Sequence, residues 1–289
     1  GLYTKSIQVA SQVLGIPIDK IHISETSTDK VPNGSVTGAS VGTDIYGQAV
    51  MNACLELNKR LEPYKREYPG EDWGSWVSRA YLDRVQLTVS GFFATPDIGT
   101  DPDTNTGNHF NYFTYGAGCS LVEIDVLTGE HSVLDTTIVM DLGVSLNPGI
   151  DIGQIEGAFV QGYGMFTMEE MLYSAKGSLL TRGPGSYKIP GFGDAPKSFQ
   201  IHLLEGSSNP RAVYSSKAVG EPPLFLSSSV YFAIKNAIRA ARVSEEDFAF
   251  NAPATAERIR LACGDDWLCS LLDQNSTEKD SYIPWSISI

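Results

Sequence analysis

The hydrophobic pattern changes its period along this chain of 289 residues, and that change restricts the folds it can adopt. Up to residue 82 the apolar side chains recur mostly at helical spacing, whereas from residue 85 to residue 141 they alternate with a period of two. Later segments return mainly to helical spacing. Helices and strands that are grouped instead of strictly alternating are typical of an α+β fold, here with mixed sheets packed against helices.

The same patterns predict the individual elements. Helices are expected over residues 5–14, 44–61, 73–82, 148–173, 228–242 and 255–263, and Pro63 is expected to end the second of them because proline disrupts a helix interior. Strands are expected over residues 20–24, 85–89, 121–126, 132–140 and 199–204, with a hairpin turn at Thr128 and Gly129. Residues 97–108 and 183–197 are rich in turn-forming residues, which predicts two long loops.

Composition excludes several classes of protein. An apolar content of 42% and a charged content of 19% fit a globular protein, as one large domain or two small ones. The formal net charge of −13 argues against nucleic acid or an anionic membrane as the main partner, and no apolar run approaches the roughly 20 residues of a membrane span. The scattered cysteines and histidines predict reduced thiols in the cytoplasm and no protein-ligated metal. Because the chain opens on Gly1 directly before a helical pattern, we expect it to be part of a longer protein.

The loop around Glu221 is the first candidate for catalysis. Glu221 is the only carboxylate in residues 215–225, and Gly220, Pro222 and Pro223 flank it, so a stiff and non-helical loop is expected. The apolar residues nearby are expected to isolate this carboxylate from water, as the general base of an enzyme often is. The alternative is a structural glutamate that pairs with Lys217 or caps the next helix, and the spacing alone favours that alternative.

Two other segments could bind a ligand. Residues 37–42 place hydroxyl groups and backbone N–H groups at the start of a helix, which suits an anionic or oxygen-rich ligand, although an ordinary helix cap has the same pattern. Gln154 lies at the expected start of another helix, where its amide can donate to a ligand or act as a cap. Gly157 and Gly164 in that helix predict a close approach of some other group to its backbone. No Walker loop and no GxGxxG after a strand is present.

Taken in order, these segments resemble the C-terminal part of the molybdenum-cofactor subunit of xanthine dehydrogenases and aldehyde oxidases. The resemblance extends over almost the whole chain and rests on these stretches: VPNGSVTGASV (31–41), TDIYGQAV (43–50), YFTYGAGCS (112–120), IVMDLG (138–143), LNPGIDIGQIEGAFVQG (146–162) and KAVGEPPLF (217–225). Pro222 and Pro223 favour the purine-oxidising branch, because aldehyde oxidases usually carry Ser-Gly there. Gly38 and Gly42 depart from the alanine and serine of many relatives, and we expect them to loosen the loop.

The resemblance implies roles for particular residues. Glu221 matches the glutamate that acts as general base on a molybdenum-bound hydroxyl group. The cofactor-binding loop matches Thr37, Gly38, Ala39, Ser40 and Val41, with the backbone of Ala39 nearest to the metal. Gln154 matches a glutamine that approaches the ligands of molybdenum.

The resemblance also implies cofactors and partners. Molybdenum-molybdopterin would be bound partly by this chain, and FAD and [2Fe-2S] clusters by other parts of the enzyme. The substrates would be purines, with hypoxanthine converted to xanthine and then to urate. The partners would be the remaining domains of the same enzyme and a second copy in a homodimer, in the cytoplasm or alternatively in peroxisomes. We expect the chain to be inactive alone. The alternatives are an aldehyde oxidase and a non-catalytic α+β binding module.

Overall fold

A computed structural model describes residues 1–31, 33–34, 36–242, 247–265, 270 and 285–286 of the chain. The chain forms two compact units. The first comprises residues 1–114, 141–151 and 204–221, and the second comprises residues 115–140, 152–203 and 222–289. Each unit contains both helices and strands, which confirms the predicted α+β class.

The first unit is built on three helices, and all three were predicted: α1 (Leu2–Leu14), α2 (Gln48–Glu67) and α3 (Trp73–Leu82). Gly15 ends α1 because its φ of 70° is in the left-handed region that glycine adopts without strain. The Asp72 side chain accepts a hydrogen bond from the N–H of Ser75 and caps α3. The buried apolar side chains of this unit are those of Val9, Ala10, Ile16, Cys54, Leu61, Ala80, Leu142, Val213 and Val219.

Helix α2 continues past Pro63, so the prediction that this proline ends the helix is wrong. Proline removes one backbone donor and strains the preceding turn. However, Leu61 is fully buried, and two ion pairs between residues one turn apart, 56 with 60 and 62 with 66, lie along the helix. Burial and these local pairs offset the defect at Pro63, and the helix ends at Glu67.

Two predicted strands, over residues 20–24 and 85–89, are absent from the described chain. Ile18–Lys20 forms a short 3-10 turn instead of leading into a strand. In the second segment the carbonyl oxygens of Gln86 and Thr88 accept hydrogen bonds from the Arg60 guanidinium at 2.8 and 3.3 Å. A side chain therefore supplies donors that a neighbouring strand would otherwise supply, and the alternation of apolar residues does not produce a sheet.

The segment 97–108, which was predicted to be a loop, contains a small antiparallel hairpin. Its strands are β1 (Gly99–Asp101) and β2 (Thr106–Asn108). Every residue of both strands is exposed, so no apolar alternation marked them in the sequence.

The second unit is organised around a mixed sheet, as predicted. Its strands, in chain order, are β3 (Gly116–Ile124), β4 (His131–Met140), β5 (Leu172–Tyr173), β6 (Ser198–Leu203) and β7 (Trp285–Ser286). β4 lies between β3, which is antiparallel to it, and β6, which is parallel to it, while β5 pairs with β7 separately. The predicted turn at 128–129 joins β3 to β4. Two predicted helices follow, α5 (Ser228–Ala241), which packs on β3, and α6 (Ala256–Cys263).

Helix α4 (Pro148–Thr167) begins with residues of the first unit and continues in the second. It is shorter than predicted because the N–H groups of Met168 and Glu169 both bind the Gly164 carbonyl, which closes the helix. A Cβ atom at Gly164 would lie 2.6 Å from the Pro190 side chain, so the predicted close approach is present there. It is absent at Gly157, where a Cβ atom would meet no other atom within 4 Å.

The sequence after Asp265 is polar and irregular, which predicts a tail without regular structure, and this segment lies almost wholly outside the described residues. Within the part that is described, every helix is too short or too polar to cross a bilayer.

Candidate active site

Ser40 and Glu221, two residues from different predicted site segments, are in direct contact. The Ser40 hydroxyl donates a hydrogen bond of 3.0 Å to Oε2 of Glu221, although 181 residues separate them in the sequence. Both residues belong to the first unit, where Ser40 is half-buried and Glu221 is exposed. The fold therefore joins the small-residue loop and the proline-flanked loop into one site.

The loop that carries Ser40 has a strained backbone. Ala39 and Ser40 have φ values of 50° and 54°, in the left-handed region that residues with a Cβ atom rarely adopt. Each such residue costs about 1–3 kcal/mol, and strain of this kind concentrates at functional sites. A Cβ atom at Gly38 would meet no other atom within 4 Å, so the loop borders open space. Thr37 is also exposed, and Val41 closes a turn by donating its N–H to the Gly38 carbonyl.

A π-helical turn, Thr43–Gly47, connects this loop to α2. Such turns are rare and often lie at functional sites, because they re-aim the backbone that precedes them. Gly47 is buried, and a Cβ atom there would lie 3.2 Å from the Val213 side chain. The small residue thus lets the segment before Glu221 pack closely against the start of α2.

The segment that leads to Glu221 is anchored by a buried ion pair. The Lys217 ammonium group lies 2.5 Å from Oδ2 of Asp141, and both side chains are less than one-tenth exposed. Burial alone would raise the pKa of Asp141, but hydrogen bonds from Lys217, the Ser207 hydroxyl and the Gly143 N–H hold that pKa below its usual value. The ionised carboxylate therefore fixes Lys217 and, through it, the backbone four residues before Glu221.

These contacts bear on the structural interpretation of Glu221. The structural alternative paired Glu221 with Lys217, but Lys217 binds Asp141. It also cast Glu221 as a helix cap, but no backbone N–H of the described residues that follow donates a hydrogen bond to the Glu221 side chain, which instead accepts the Ser40 hydroxyl. Neither structural role is therefore supported by the described contacts.

The expectation that apolar neighbours isolate Glu221 from water is wrong for the described chain, because Glu221 is exposed. The apolar residues of that stretch have other partners. Val219 is buried in the first unit, and Phe225 packs edge-on against Phe166 of α4, with ring centres 5.7 Å apart. The sequence gives the composition of the stretch but not the direction of its side chains.

Two residues near the site were missed by sequence reasoning. Tyr112 donates a hydrogen bond of 2.5 Å to Oδ2 of Asp44 and accepts one of 2.8 Å from the N–H of Ala218. Burial raises the pKa of Asp44 to about 6, although the Tyr112 hydroxyl and the charge of Lys5 both lower it. Both residues stand in stretches that carried the family resemblance, which is the signal that could have identified them. Their spacing of 68 residues gave no reason to pair them.

Gln154 lies in the second unit, whereas Ser40 and Glu221 lie in the first. It is exposed in the second turn of α4, not at the start of the helix as predicted. Among the described residues, no group of three or more His, Cys, Asp and Glu side chains is arranged to hold a metal ion.

Two clefts lie apart from these residues. One of about 350 Å³ in the first unit is bordered by Phe93, Asn111 and Arg211. Another of about 880 Å³ in the second unit is bordered by several carboxylates and by His131, which hydrogen-bonds Tyr163 at 2.8 Å. Neither cleft includes a residue of the predicted site.

Comparison with known proteins gives one family match and several similar sequences and structures. Residues 1–196 match the family described as "Molybdopterin cofactor-binding domain". The chain is 57% identical over 291 residues to a xanthine dehydrogenase of Calliphora vicina. The alignment covers 99% of this chain and 21% of that protein. The chain is also 56% identical over 297 residues to a xanthine dehydrogenase/oxidase of Felis catus. That alignment covers 100% of this chain and 22% of that protein. The fold is similar to that of quinoline 2-oxidoreductase from Pseudomonas putida 86, with a TM-score of 0.72 and 24% identity, over 90% of this chain and 34% of that one. The chain thus spans about a fifth of the length of the curated relatives it matches.

Proposed function

Because this chain belongs to the molybdopterin cofactor-binding domain family, we propose that it supplies the general base and part of the cofactor site of a purine-hydroxylating molybdenum enzyme. The proposed reaction is the hydroxylation of hypoxanthine to xanthine and of xanthine to urate. The identity to xanthine dehydrogenases of an insect and a mammal supports this substrate class. The single observation that carries the proposal is the hydrogen bond between Ser40 and Glu221, which places a carboxylate beside the candidate cofactor loop.

The residues of the loop fit a molybdopterin cofactor. The Thr37 hydroxyl is a donor, the Ser40 hydroxyl can accept a hydrogen bond while it donates to Glu221, and no described residue accepts a hydrogen bond from the N–H groups of residues 38–40. The open space beside Gly38 admits a ligand close to the backbone. A cofactor rich in oxygen acceptors suits such a set of donors at the approach to a helix. When bound, the cofactor supplies oxygen transfer to an electron-poor carbon and takes up the electrons.

Glu221 is proposed to take a proton as the general base. Ser40 occupies Oε2 and orients the carboxylate, while Oε1 accepts no hydrogen bond from a described residue and stays available for the proton. The strained backbone at Ala39 and Ser40 holds the hydroxyl in place, so that little reorganisation is needed during the reaction. Thr37, Gly38, Ala39 and Val41 are proposed to line the cofactor, with the backbone of Ala39 nearest to the metal.

Gln154 is proposed to donate its amide to the cofactor from α4. Its exposure on that helix leaves the amide accessible to a ligand.

The proposed partners are the remaining domains of the same enzyme, which would carry FAD and [2Fe-2S] clusters, and a second copy in a homodimer. The proposed location is the cytoplasm, or alternatively the peroxisome, and fractionation of cells with a peroxisomal marker distinguishes the two.

The test is the substitution Glu221→Gln in the full-length protein that contains this chain. It keeps the size and hydrogen-bonding capacity of the side chain but removes the base, so we expect turnover of hypoxanthine to fall by about 100-fold or more. Molybdenum content and melting temperature should stay at the wild-type level. The matched control is Glu205→Gln, which changes an exposed glutamate of the same unit and should leave turnover unchanged.

The outcomes separate the candidate functions. Retention of more than a tenth of the activity in the Glu221→Gln enzyme, at normal molybdenum content, would rule out Glu221 as the base. A wild-type enzyme that oxidises an aromatic aldehyde but not hypoxanthine would instead be an aldehyde oxidase. A wild-type protein that binds the cofactor and oxidises neither compound would be a non-catalytic binding module.

A further inference from the structure

The Tyr112 hydroxyl bridges the two segments that form the candidate site. It accepts the N–H of Ala218 at 2.8 Å and donates to Oδ2 of Asp44 at 2.5 Å. Ala218 precedes Glu221 in the loop with the prolines, and Asp44 follows Ser40 at the start of the π-helical turn. All of these residues belong to the first unit.

The bridge and the Ser40–Glu221 hydrogen bond together close a ring of contacts. One side of the ring is the backbone from residue 40 to residue 44, and the opposite side is the backbone from residue 218 to residue 221. Tyr112 joins these sides at one end, and the Ser40 hydroxyl joins them at the other. A change in the length of the Tyr112 bridge therefore moves Glu221 relative to Ser40.

The Asp44 carboxyl is buried at a position where packing alone does not require a polar group. It is 7% exposed, and its second oxygen, Oδ1, has no hydrogen-bond partner among the described residues. A buried carboxylate with an unsatisfied oxygen is unfavourable, and an apolar residue of similar size would avoid that cost. The contact that Asp44 does make is the short one to Tyr112. The polar side chain at this position thus costs stability but provides an acceptor for the Tyr112 hydroxyl.

We propose that Tyr112 and Asp44 are positioning residues that set the distance between Glu221 and the Ser40 loop through the N–H of Ala218. This proposal rests on the proposed function, since it assigns Glu221 as the base that is positioned. Asp44 fixes the direction of the Tyr112 hydroxyl, and the hydroxyl oxygen then receives the Ala218 N–H. Neither side chain touches the substrate or the reacting atoms in this scheme.

The principal test is Tyr112→Phe in the full-length protein, with hypoxanthine as substrate. The ring stays in place and only the bridging oxygen is lost, so the fold should survive. We expect kcat to fall about tenfold, with KM for hypoxanthine changed less than twofold, because positioning of a base affects the chemical step more than binding. The rate of anaerobic reduction of the enzyme by hypoxanthine, measured by stopped-flow absorbance, should fall by the same factor.

Two variants of Asp44 test its role as the acceptor of the Tyr112 hydroxyl. Asp44→Asn keeps an oxygen for the Tyr112 hydroxyl and should retain kcat within threefold, whereas Asp44→Leu removes it and should reproduce the loss of the Tyr112→Phe enzyme. The matched control is Tyr64→Phe, because Tyr64 also donates to an aspartate, Asp83, at 2.9 Å in the same unit but on an exposed surface. That control should leave kcat unchanged.

Two results would overturn the proposal. One is a wild-type kcat in the Tyr112→Phe enzyme at normal molybdenum content. The other is a loss of activity that parallels a loss of molybdenum and of melting temperature, since that identifies a merely structural role. An inactive Glu221→Gln enzyme combined with a fully active Tyr112→Phe enzyme rejects the positioning role alone, whereas an active Glu221→Gln enzyme rejects the proposed function itself.

Discussion

Ser40 donates a hydrogen bond of 3.0 Å to Glu221 across 181 residues of sequence. The donor sits on a backbone in the left-handed region, and the acceptor follows a segment that the buried Lys217–Asp141 pair anchors. The strained backbone thus lies at the contact itself, and the buried pair lies four residues before Glu221 in the sequence. Backbone strain beside a carboxylate is typical of a functional site.

Ser40→Ala should lower kcat of the full-length enzyme about 10- to 100-fold, because a hydrogen bond to a charged group contributes about 1.5–3 kcal/mol. The missing hydroxyl leaves Glu221 without its orienting donor, while the alanine is compatible with the small-residue loop. Steady-state kinetics with hypoxanthine measure the effect. Ser78→Ala, on the exposed face of α3, is the control, and equal rates for both variants would show that the Ser40 contact has no catalytic importance.

The helices with local signals could be predicted from the sequence, but the elements that depend on distant partners could not. Helix α3 was predicted with its correct ends, and its start depends on local residues alone, since Asp72 caps it within the same short stretch. The strand predicted at 85–89 is absent because Arg60, far along the chain, binds its carbonyl groups. Alternation of apolar residues predicts which side chains are half-buried. It does not predict which groups form hydrogen bonds with the backbone.

The candidate site was only partly accessible to sequence reasoning. The loops of Ser40 and Glu221 were selected from their residue patterns and received their proposed roles through the family resemblance, but their contact depends on the fold. The exposure of Glu221 was not foreseen, because an apolar sequence does not fix which way Phe225 points. Tyr112 and Asp44 were not predicted, because their hydrogen bond joins two residues that have no periodic relation in the sequence.

Lys217→Met should destabilise the protein strongly, because it leaves Asp141 buried without its cation. Removing one partner of a buried pair costs about 3–5 kcal/mol. Lys30→Met is the control, because Lys30 pairs with Glu25 at an exposed position where such pairs contribute about 0–1 kcal/mol. Thermal unfolding followed by circular dichroism measures both. Similar melting temperatures for the two variants would contradict the importance of the Lys217–Asp141 pair.

Gly162→Ala should disrupt the packing of α4 against the turn that follows Glu221. A Cβ atom at Gly162 would lie 2.1 Å from the carbonyl oxygen of Leu224, which is too close for any real contact. Gly157→Ala changes the same helix where the Cβ atom meets nothing, and the better helix propensity of alanine should stabilise it by about 0.5–1 kcal/mol. The expected melting temperatures therefore shift in opposite directions. A stabilised Gly162→Ala variant would show that this approach is looser than the structure describes.

Asp44→Asn should stabilise the protein increasingly as the pH rises from about 4 to about 6. Burial raises the pKa of Asp44 from its ordinary value of 3.8 to about 6, so folding disfavours the ionised carboxylate. Well below pH 4 the carboxyl is protonated in both the folded and the unfolded state and carries no penalty. The penalty grows between the two pKa values and is constant well above pH 6, where the difference between them corresponds to about 3 kcal/mol. The difference in melting temperature between Asp44→Asn and wild type, measured from pH 4 to pH 8, should therefore rise and then level off. A difference that is independent of pH would mean that Asp44 has an ordinary pKa in the folded protein and that its burial next to Tyr112 has little electrostatic cost.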